Sequence, residues 1–196
     1  MDPLDPMAKF AELLAQAAAA PGIAEPTGMT LSTVGADGRP SARIVLLKGA
    51  DAGGLVFYTN YTSRKGREIL ARPDLALTFW WQPLEVQVRF EGRAAQVTAA
   101  EADAYFASRP RISQLGAWAS QQSQPLAARA QLEERYAALE KRYAGQPVPR
   151  PPHWSGFRVA PLAAEFWKAG AGRLHHRELY TRATTSAPWS MTLLNP

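Results

Sequence analysis

The chain has 196 residues, of which 46% are hydrophobic and 20% charged, an ordinary balance for a globular protein and not for a disordered or fibrous one. It contains no cysteine, which excludes a disulfide scaffold, a cysteine nucleophile and a thiolate metal site. Lysine and arginine outnumber aspartate and glutamate by 22 to 17, a net charge of +5. This charge suits a phosphorylated ligand, nucleic acid or simply a basic surface.

No apolar run approaches the roughly 20 residues that span a bilayer. The first ten residues, MDPLDPMAKF, place two aspartates before the first lysine, unlike the basic start of a signal peptide. With the absence of cysteine, these features lead us to expect a soluble cytoplasmic protein without a membrane partner.

The first segment is predicted to be a helix within residues 1–22. Asp5 and Pro6 are typical of a helix start, and apolar residues recur at helical spacing until Pro21. Segments rich in branched and aromatic residues then predict five strands: Met29–Val34, Ser41–Lys48, Leu55–Thr59, Leu75–Trp81 and Glu85–Val97. Five strands in about 70 residues, joined by short turns, predict an antiparallel sheet that closes as a small barrel.

Residues 98–145 are predicted to be a helical insertion. Thr98 and Glu101 form a capping box, the first helix ends near Arg109 because Pro110 disfavours its continuation, and a longer helix follows Pro125. After a proline-rich connector, residues 154–196 return to strands: Gly156–Val159, Glu165–Lys168, Arg173–Tyr180 and Trp189–Leu194. We expect one domain, residues 1–196, built as a mainly β barrel with peripheral helices.

The familiar catalytic motifs are absent from this sequence. There is no HExxH, GxGxxG, P-loop or GxSxG pattern, and the three histidines do not form a metal-binding pattern. We therefore expect no metal site, and the candidate residues are cations and amides near strand ends and turns.

Two basic clusters belong to the first half of the chain. Arg43 and Lys48 bracket an apolar strand, which is also typical of a strand with solvated ends. Tyr58 and Thr59 precede the segment Ser63–Lys65, where hydroxyls and cations at a helix start would suit a phosphate. The alternative is that Ser63 merely caps the helix while Arg64 and Lys65 are solvated.

Two further clusters lie in the second half. Tyr105, Arg109 and Ser113 are spaced by four residues, but Pro110 favours a bend with Arg109 at the junction. Arg173, His175 and Arg177 alternate along a predicted strand, so they would share one face that meets either solvent or an anion.

Taken together, the four clusters supply cations for two phosphate groups. Planar, amide and hydroxyl groups suited to a flat heterocycle are added by Trp118, Trp167, Gln87, Gln122 and Ser123. A flavin nucleotide and a phosphorylated aromatic substrate would fit this combination.

Several stretches of the chain resemble the pyridoxine/pyridoxamine 5′-phosphate oxidases. They are RIVLLK (43–48), VFYTN (56–60), SRK (63–65), YFASRPRISQLGAWAS (105–120), QS (122–123), WSGFRV (154–159), EFW (165–167) and RLHHR (173–177). The segments around Arg109 and His175 are specific to the family, whereas the others are shared more loosely with other flavin-binding split barrels.

The resemblance implies a homodimer of FMN-binding split barrels with the flavin held between the subunits. It implies oxidation of pyridoxine or pyridoxamine 5′-phosphate by O2 to pyridoxal 5′-phosphate, with hydride transfer from C4′ to flavin N5 and release of H2O2. The implied FMN contacts are Arg43, Val45, Leu46, Lys48, Tyr58, Thr59, Ser63, Arg64, Lys65, Gln87, Gln122, Ser123, Trp167 and Arg177. The implied substrate contacts are Lys48, Tyr105, Arg109, Ser113, Arg173 and His175, of which Arg173 and His175 are the catalytic candidates.

The sequence departs from the family pattern in four places. The N-terminal arm that covers the substrate in many members is short, His176 stands where an acidic residue is common, Val86 replaces a polar or basic residue, and Leu193 replaces an arginine. His176 is expected to point away from the ligand because neighbouring strand residues face opposite sides.

Three alternatives remain open. One is a related FMN oxidase acting on another substrate, such as a phenazine precursor, although such a substrate would not need the Tyr105, Arg109 and Ser113 trio. A second is a flavin- or haem-binding protein without turnover. The third, a nucleic-acid binder, lacks a basic stripe and a recognition motif.

Overall fold

Nine strands and five α-helices make up the computed structural model, which describes residues 5–196. The strands are β1 (Gly28–Val34), β2 (Pro40–Leu46), β3 (Gly49–Asp51), β4 (Gly54–Asn60), β5 (Asp74–Trp81), β6 (Val86–Gln96), β7 (Trp154–Lys168), β8 (His176–Thr181) and β9 (Ser190–Leu193). The helices are α1 (Pro6–Ala19), α2 (Arg64–Ala71), α3 (Ala99–Ser108), α4 (Arg111–Ala119) and α5 (Arg129–Arg142). Within residues 5–196, no helix combines the length and apolar character needed to cross a membrane.

All nine strands join one sheet through antiparallel pairs, in the order β2-β1-β5-β6-β7-β4-β3, with β8 on β7 and β9 on β8. The central strand is β7. One of its edges pairs with β6, while the other pairs first with β4 and then with β8. The predicted antiparallel sheet with peripheral helices is confirmed, and β7 connects its two halves.

The prediction of two separate strands at 156–159 and 165–168 is wrong, because β7 runs without interruption for 15 residues. Pro161, which lies between the two predicted strands, is opposite Gly92 at a register shift between β6 and β7. A proline is tolerated at such a bulge because the ladder is already irregular there. Sequence reasoning also missed β3 and treated α4 only as a bent continuation of α3.

Helix α1 begins as predicted. The Asp5 side chain accepts a hydrogen bond from the Met7 backbone N–H, and Pro6 occupies the first turn. Phe10, on the buried face of α1, lies 4.9 Å from Phe79 and 5.0 Å from Phe90 between ring centroids. This helix therefore closes one side of the main core; residues 1–4 of the predicted N-terminal segment lie outside the described part of the chain.

We expect Phe10→Ala to lower the free energy of unfolding by roughly 3–5 kcal/mol, because the substitution removes a fully buried ring from a packed aromatic cluster. Urea denaturation followed by circular dichroism measures this change. Leu70→Ala is the control, since Leu70 is 47% exposed on α2 and its truncation should change the value by no more than about 0.5 kcal/mol. Equal effects of the two substitutions would contradict this account of the core.

Candidate active site

A cavity of about 470 Å³ opens between the α3–α4 junction and the ends of β2 and β4. Ten of the residues predicted from the sequence line it: Val45, Leu46, Lys48, Tyr58, Thr59, Lys65, Tyr105, Arg109, Ser113 and Gln122. Nine others do not: Arg43, Ser63, Arg64, Gln87, Ser123, Trp167, Arg173, His175 and Arg177. The first, second and third clusters therefore meet at one place in the fold.

Three nearly parallel aromatic rings form one wall of the cavity. The Tyr58 ring stacks on Tyr105 with 4.0 Å between centroids and on Trp154 with 5.4 Å, and the interplanar angles are 14° and 6°. Gly156 allows this arrangement, since a Cβ at that position would lie 2.7 Å from the Tyr58 ring. The stacked arrangement of the wall therefore requires a glycine at position 156 as well as the three rings.

Arg109 lies at the bend between two helices, as the sequence predicted. It follows α3 with an extended backbone, and Pro110 caps the start of α4. Its guanidinium carbon lies 4.6 Å above the Trp154 ring centroid. Its Nη1 atom is buried and has no hydrogen-bond partner among residues 5–196, and burial lowers the pKa of Arg109. A buried cationic donor without a partner on the wall of a cavity is suited to bind an anion.

The N-terminus of α2 forms another side of the cavity. The Ser63 hydroxyl donates to the Asn60 carbonyl and accepts from the Gly66 N–H, so Ser63 caps α2, which is one part of the predicted alternative. Lys65 is partly buried, and its Nζ donates to Gln122 Oε1 at 2.9 Å. Ser123 is exposed, with a φ of 69°, and does not line the cavity.

Glu68, which sequence reasoning overlooked, ties α2 to the first two strands. One carboxylate oxygen, Oε2, accepts hydrogen bonds from Thr33, Ser41 and Arg43. The other, Oε1, accepts from Arg64 Nε at 2.8 Å. Burial alone would raise the pKa of Glu68, but the bonds from Thr33, Arg64 and Ser41 outweigh it and lower this pKa to about 2. The spacing of Arg64 and Glu68 by four residues was the available sequence signal.

A second group of predicted residues lines a separate cavity of about 430 Å³ on the outer side of β5, β6 and β7. Gln87 and Trp167 are paired across β6 and β7, and Trp80 completes the lining. Nearby, Arg177 donates from Nε to the buried carboxylate of Glu165 at 2.9 Å. In a single chain, these residues do not share the cavity that holds Arg109.

The prediction that Arg173, His175 and Arg177 alternate along one strand is wrong. β8 begins only after His175, and Arg173 belongs to a short 3₁₀ turn with a φ of 65° that follows Gly172 at 63°. Two consecutive left-handed residues turn the chain, so strand alternation does not apply before β8. The His175 ring packs 4.6 Å from Trp167, and its Nδ1 accepts from the Gly170 N–H at 3.3 Å.

Three of the departures from the family pattern lie away from the 470 Å³ cavity. Val86 is part of the main core, and Leu193 is exposed on β9. His176 is exposed and contacts Glu178 through its Nε2 at 2.7 Å.

The charge of the cavity is entirely positive. Lys48, Lys65 and Arg109 line it, and no carboxylate does among the lining residues that the structure describes. The pKa of Lys65 is lowered by burial and by the neighbouring Arg43 cation. Because burial of like charges is unfavourable without a counter-ion, the cavity is complementary to a polyanionic ligand.

Sequence reasoning missed six other residues of the cavity wall: Ile44, Asn60, Gly116, Ala117, Ser120 and Trp154. All six stand inside the sequence stretches that carried the resemblance. Their position within those stretches was the signal that could have identified them.

Comparison with known proteins assigns the fold to a class of oxidases. Residues 15–143 match the family model "Pyridoxamine 5′-phosphate oxidase", and residues 154–196 match "Pyridoxine 5′-phosphate oxidase C-terminal dimerisation region". The second match supports a homodimer and covers β7, β8 and β9.

The chain is 60% identical over 196 residues to a pyridoxine/pyridoxamine 5′-phosphate oxidase of Myxococcus xanthus, covering all of this chain and 94% of that protein. It is 54% identical over 193 residues to the protein of that name from Burkholderia orbicola, covering 98% and 89% of the two chains. The chain therefore belongs to the pyridoxine/pyridoxamine 5′-phosphate oxidase family.

Among solved structures, PhzG from Burkholderia lata in complex with tetrahydrophenazine-1-carboxylic acid matches with a TM-score of 0.92 and 33% identity, over 100% of this chain and 94% of that one. A pyridoxamine 5′-phosphate oxidase-related, FMN-binding protein from Nostoc punctiforme matches with a TM-score of 0.77 and 18% identity, over 98% and 99%. The second likeness shows a common fold. The predicted split-barrel class is confirmed by these matches.

We expect the buried Glu68 to contribute to stability in a pH-dependent way. Its pKa is about 2 in the folded protein and its ordinary value is 4.5, so its contribution is present above pH 4.5 and is lost as the pH falls toward 2. The full contribution would be about 3 kcal/mol. In Glu68→Gln, the unfolding free energy should therefore fall less than in the wild type between pH 4.5 and 2.

Urea titrations at several pH values measure this difference. Glu134→Gln on the exposed side of α5 is the matched control and should retain the wild-type slope. A Glu68→Gln protein with the wild-type slope would contradict the assigned role of this network.

Proposed function

We propose that the protein is an FMN-dependent oxidase that converts pyridoxine 5′-phosphate or pyridoxamine 5′-phosphate to pyridoxal 5′-phosphate, with reduction of O2 to H2O2. The observation that carries the proposal is the unpartnered Nη1 of Arg109 in an all-cationic cavity. The family membership and the names of the 54–60% identical relatives support the same reaction. The proposal treats residues 1–196 as one cytoplasmic domain.

The substrate phosphate is assigned to the α3–α4 junction. Arg109 supplies a half-buried cation, Ser113 lies in the first turn of α4, and Tyr105 and Lys48 complete the lining. Charge-assisted hydrogen bonds to the phosphate would anchor the substrate through a group remote from the reacting carbon.

The other residues of the cavity fit the phosphate and ring of FMN. Lys65 and Thr59 lie beside the N-terminus of α2, and Gln122 offers an amide. Arg43 and Arg64 are held close by through Glu68. When bound, FMN would accept the C4′ hydride at its N5 and transfer two electrons to O2.

The division of the predicted FMN contacts between two cavities favours a shared site. Lys65 and Gln122 line the larger cavity, whereas Gln87 and Trp167 line the smaller one. A ligand that contacts both sets needs the smaller cavity of a second copy, in keeping with the match to a dimerisation region. Ile44 is 67% exposed and Trp80 51% exposed, as expected of apolar residues that a partner covers.

Arg173 and His175 are assigned to the substrate from the side of the smaller cavity. Because Gly170 donates to Nδ1, a neutral His175 carries its proton on Nε2. It therefore presents a donor to the substrate and would hold the C4′ oxygen or the ring hydroxyl in place. Arg173 adds positive charge and orientation in the same region.

The second candidate is an oxidase of a phenazine precursor. It is supported by the likeness to PhzG, whose solved complex contains tetrahydrophenazine-1-carboxylic acid. That ligand is a carboxylic acid without phosphate, so it has less need of three cations in one cavity.

Peroxide release separates the two candidates. The purified protein should be yellow, with flavin absorption bands, and should release H2O2 with pyridoxamine 5′-phosphate at far higher kcat/KM than with tetrahydrophenazine-1-carboxylic acid. The reverse preference would establish the second candidate. A colourless protein that fails to take up FMN would exclude both.

We expect Arg109→Ala to raise KM for pyridoxamine 5′-phosphate by roughly 10- to 150-fold, which corresponds to the loss of one charge-assisted hydrogen bond. Arg173→Ala should also raise KM strongly. FMN content, measured by absorbance after gel filtration, should remain at the wild-type level in both variants. A wild-type kcat/KM in either variant would show that its assignment is wrong.

A shared site also predicts complementation between impaired variants, assayed at substrate concentrations far below the KM of Arg109→Ala. Arg109→Ala and Trp167→Ala each damage one half of the site, so a heterodimer of the two would retain one intact site. After unfolding and refolding of an equimolar mixture, about a quarter of the wild-type activity should return, since half the dimers are mixed. Mixed refolding without any recovery would place the whole site within one chain.

A further inference from the structure

We infer that Trp154 is a positioning residue for the substrate phosphate, because it holds the Arg109 guanidinium over its indole ring and leaves the Nη1 donor free for the anion. This inference rests on the proposed function, since it presumes that Arg109 binds the phosphate. Nothing in the sequence pattern assigned a role to Trp154.

The geometry around Arg109 is specific. The guanidinium carbon lies 4.6 Å from the Trp154 ring centroid and 5.7 Å from that of Phe106, and no carboxylate forms a salt bridge with Arg109 in residues 5–196. Its Nη1 is buried without a partner. The face of an aromatic ring is therefore the principal compensation that the chain provides for this half-buried cation.

An aromatic ring suits this task better than a carboxylate would. Cation–π attraction acts on the face of the guanidinium and uses none of its N–H donors, whereas a carboxylate would occupy the edge and would repel a phosphate. Trp154 thus stabilises the cation and keeps its donors available for the substrate.

The indole ring is itself fixed from several sides. Trp154 is 6% exposed at the first position of β7, opposite Asn60 of β4. It stacks on Tyr58, and its ring meets Phe106 at 67° with 5.1 Å between centroids. This fixed position on the sheet is what gives Arg109 a defined orientation at the otherwise irregular helix junction.

The test measures the Kd of pyridoxal 5′-phosphate by absorbance titration of the FMN-loaded protein, beside KM and kcat for pyridoxamine 5′-phosphate. Trp154→Leu should raise the Kd and KM by roughly 3- to 30-fold, with kcat changed by less than about 2-fold, because anchoring and not chemistry is affected. Trp154→Phe, which retains an aromatic face, should restore most of the affinity. FMN content should match the wild type.

A double-mutant cycle distinguishes positioning from general packing. Trp154→Leu should have no further effect on the Kd in the Arg109→Ala background, because its role is exerted through Arg109. Tyr143→Leu is the matched control, since Tyr143 is a buried aromatic residue of the same cluster and should leave the Kd within about 2-fold. An equal loss from Trp154→Leu in both backgrounds, or an equal loss in Tyr143→Leu, would overturn the inference.

Fluorinated tryptophans introduced at position 154 provide a measurement that does not depend on a leucine variant that folds. Fluorine withdraws charge from the ring face while the shape is nearly kept, so the Kd should rise with each added fluorine. A Kd independent of fluorination would overturn the inference even if Arg109 binds phosphate. Failure of the wild type to bind pyridoxal 5′-phosphate would instead contradict the proposed function.

Discussion

The partial burial of an arginine without a carboxylate partner is the constraint on which the site depends. Arg109 lies against Trp154 in a cavity that it shares with Lys48 and Lys65. Removing even part of a cation from water is unfavourable unless the protein or a ligand compensates, and the aromatic ring compensates only in part. The positive charge that the protein leaves uncompensated favours a doubly charged anion. Neutralisation of this charge would supply much of the binding energy of the site.

Several arginines outside the cavity, unlike Arg109, form ion pairs with carboxylates. Arg43 and Arg64 are paired with Glu68, and Arg177 with Glu165; both carboxylates are buried. A paired arginine keeps a fixed position and a reduced net charge, whereas an unpaired one attracts anions strongly. Arginines that pair with a buried carboxylate therefore have a structural role, whereas cations without such a partner are available to bind a ligand. The positions of Glu68 and Glu165 determine which arginines belong to the first group.

Helix caps and bends, which depend on residues close together in the sequence, could be predicted from the sequence. The Asp5 cap, the Thr98–Glu101 capping box and the bend at Pro110 all appear as expected. Features that depend on distant partners were inaccessible. Two strands were predicted where the bulge at Pro161 allows β7 to continue, and Glu68 joins α2 to the sheet through residues 25 to 35 positions away.

The wrong prediction that Arg173 belongs to a strand has a different cause, and it concerns a residue of the proposed site. Alternation assumes an extended backbone, and Gly172 together with Arg173 adopts left-handed conformations that end it. An arginine held at a positive φ is uncommon and costs of order 1 kcal/mol or more. Such a conformation persists where the surroundings enforce it, and here it turns the chain between β7 and β8, beside the ring contact of His175 with Trp167. The side chain of Arg173 is exposed in this turn, so the local conformation that invalidates the strand prediction also determines the position of the cation assigned to the second half of the proposed site.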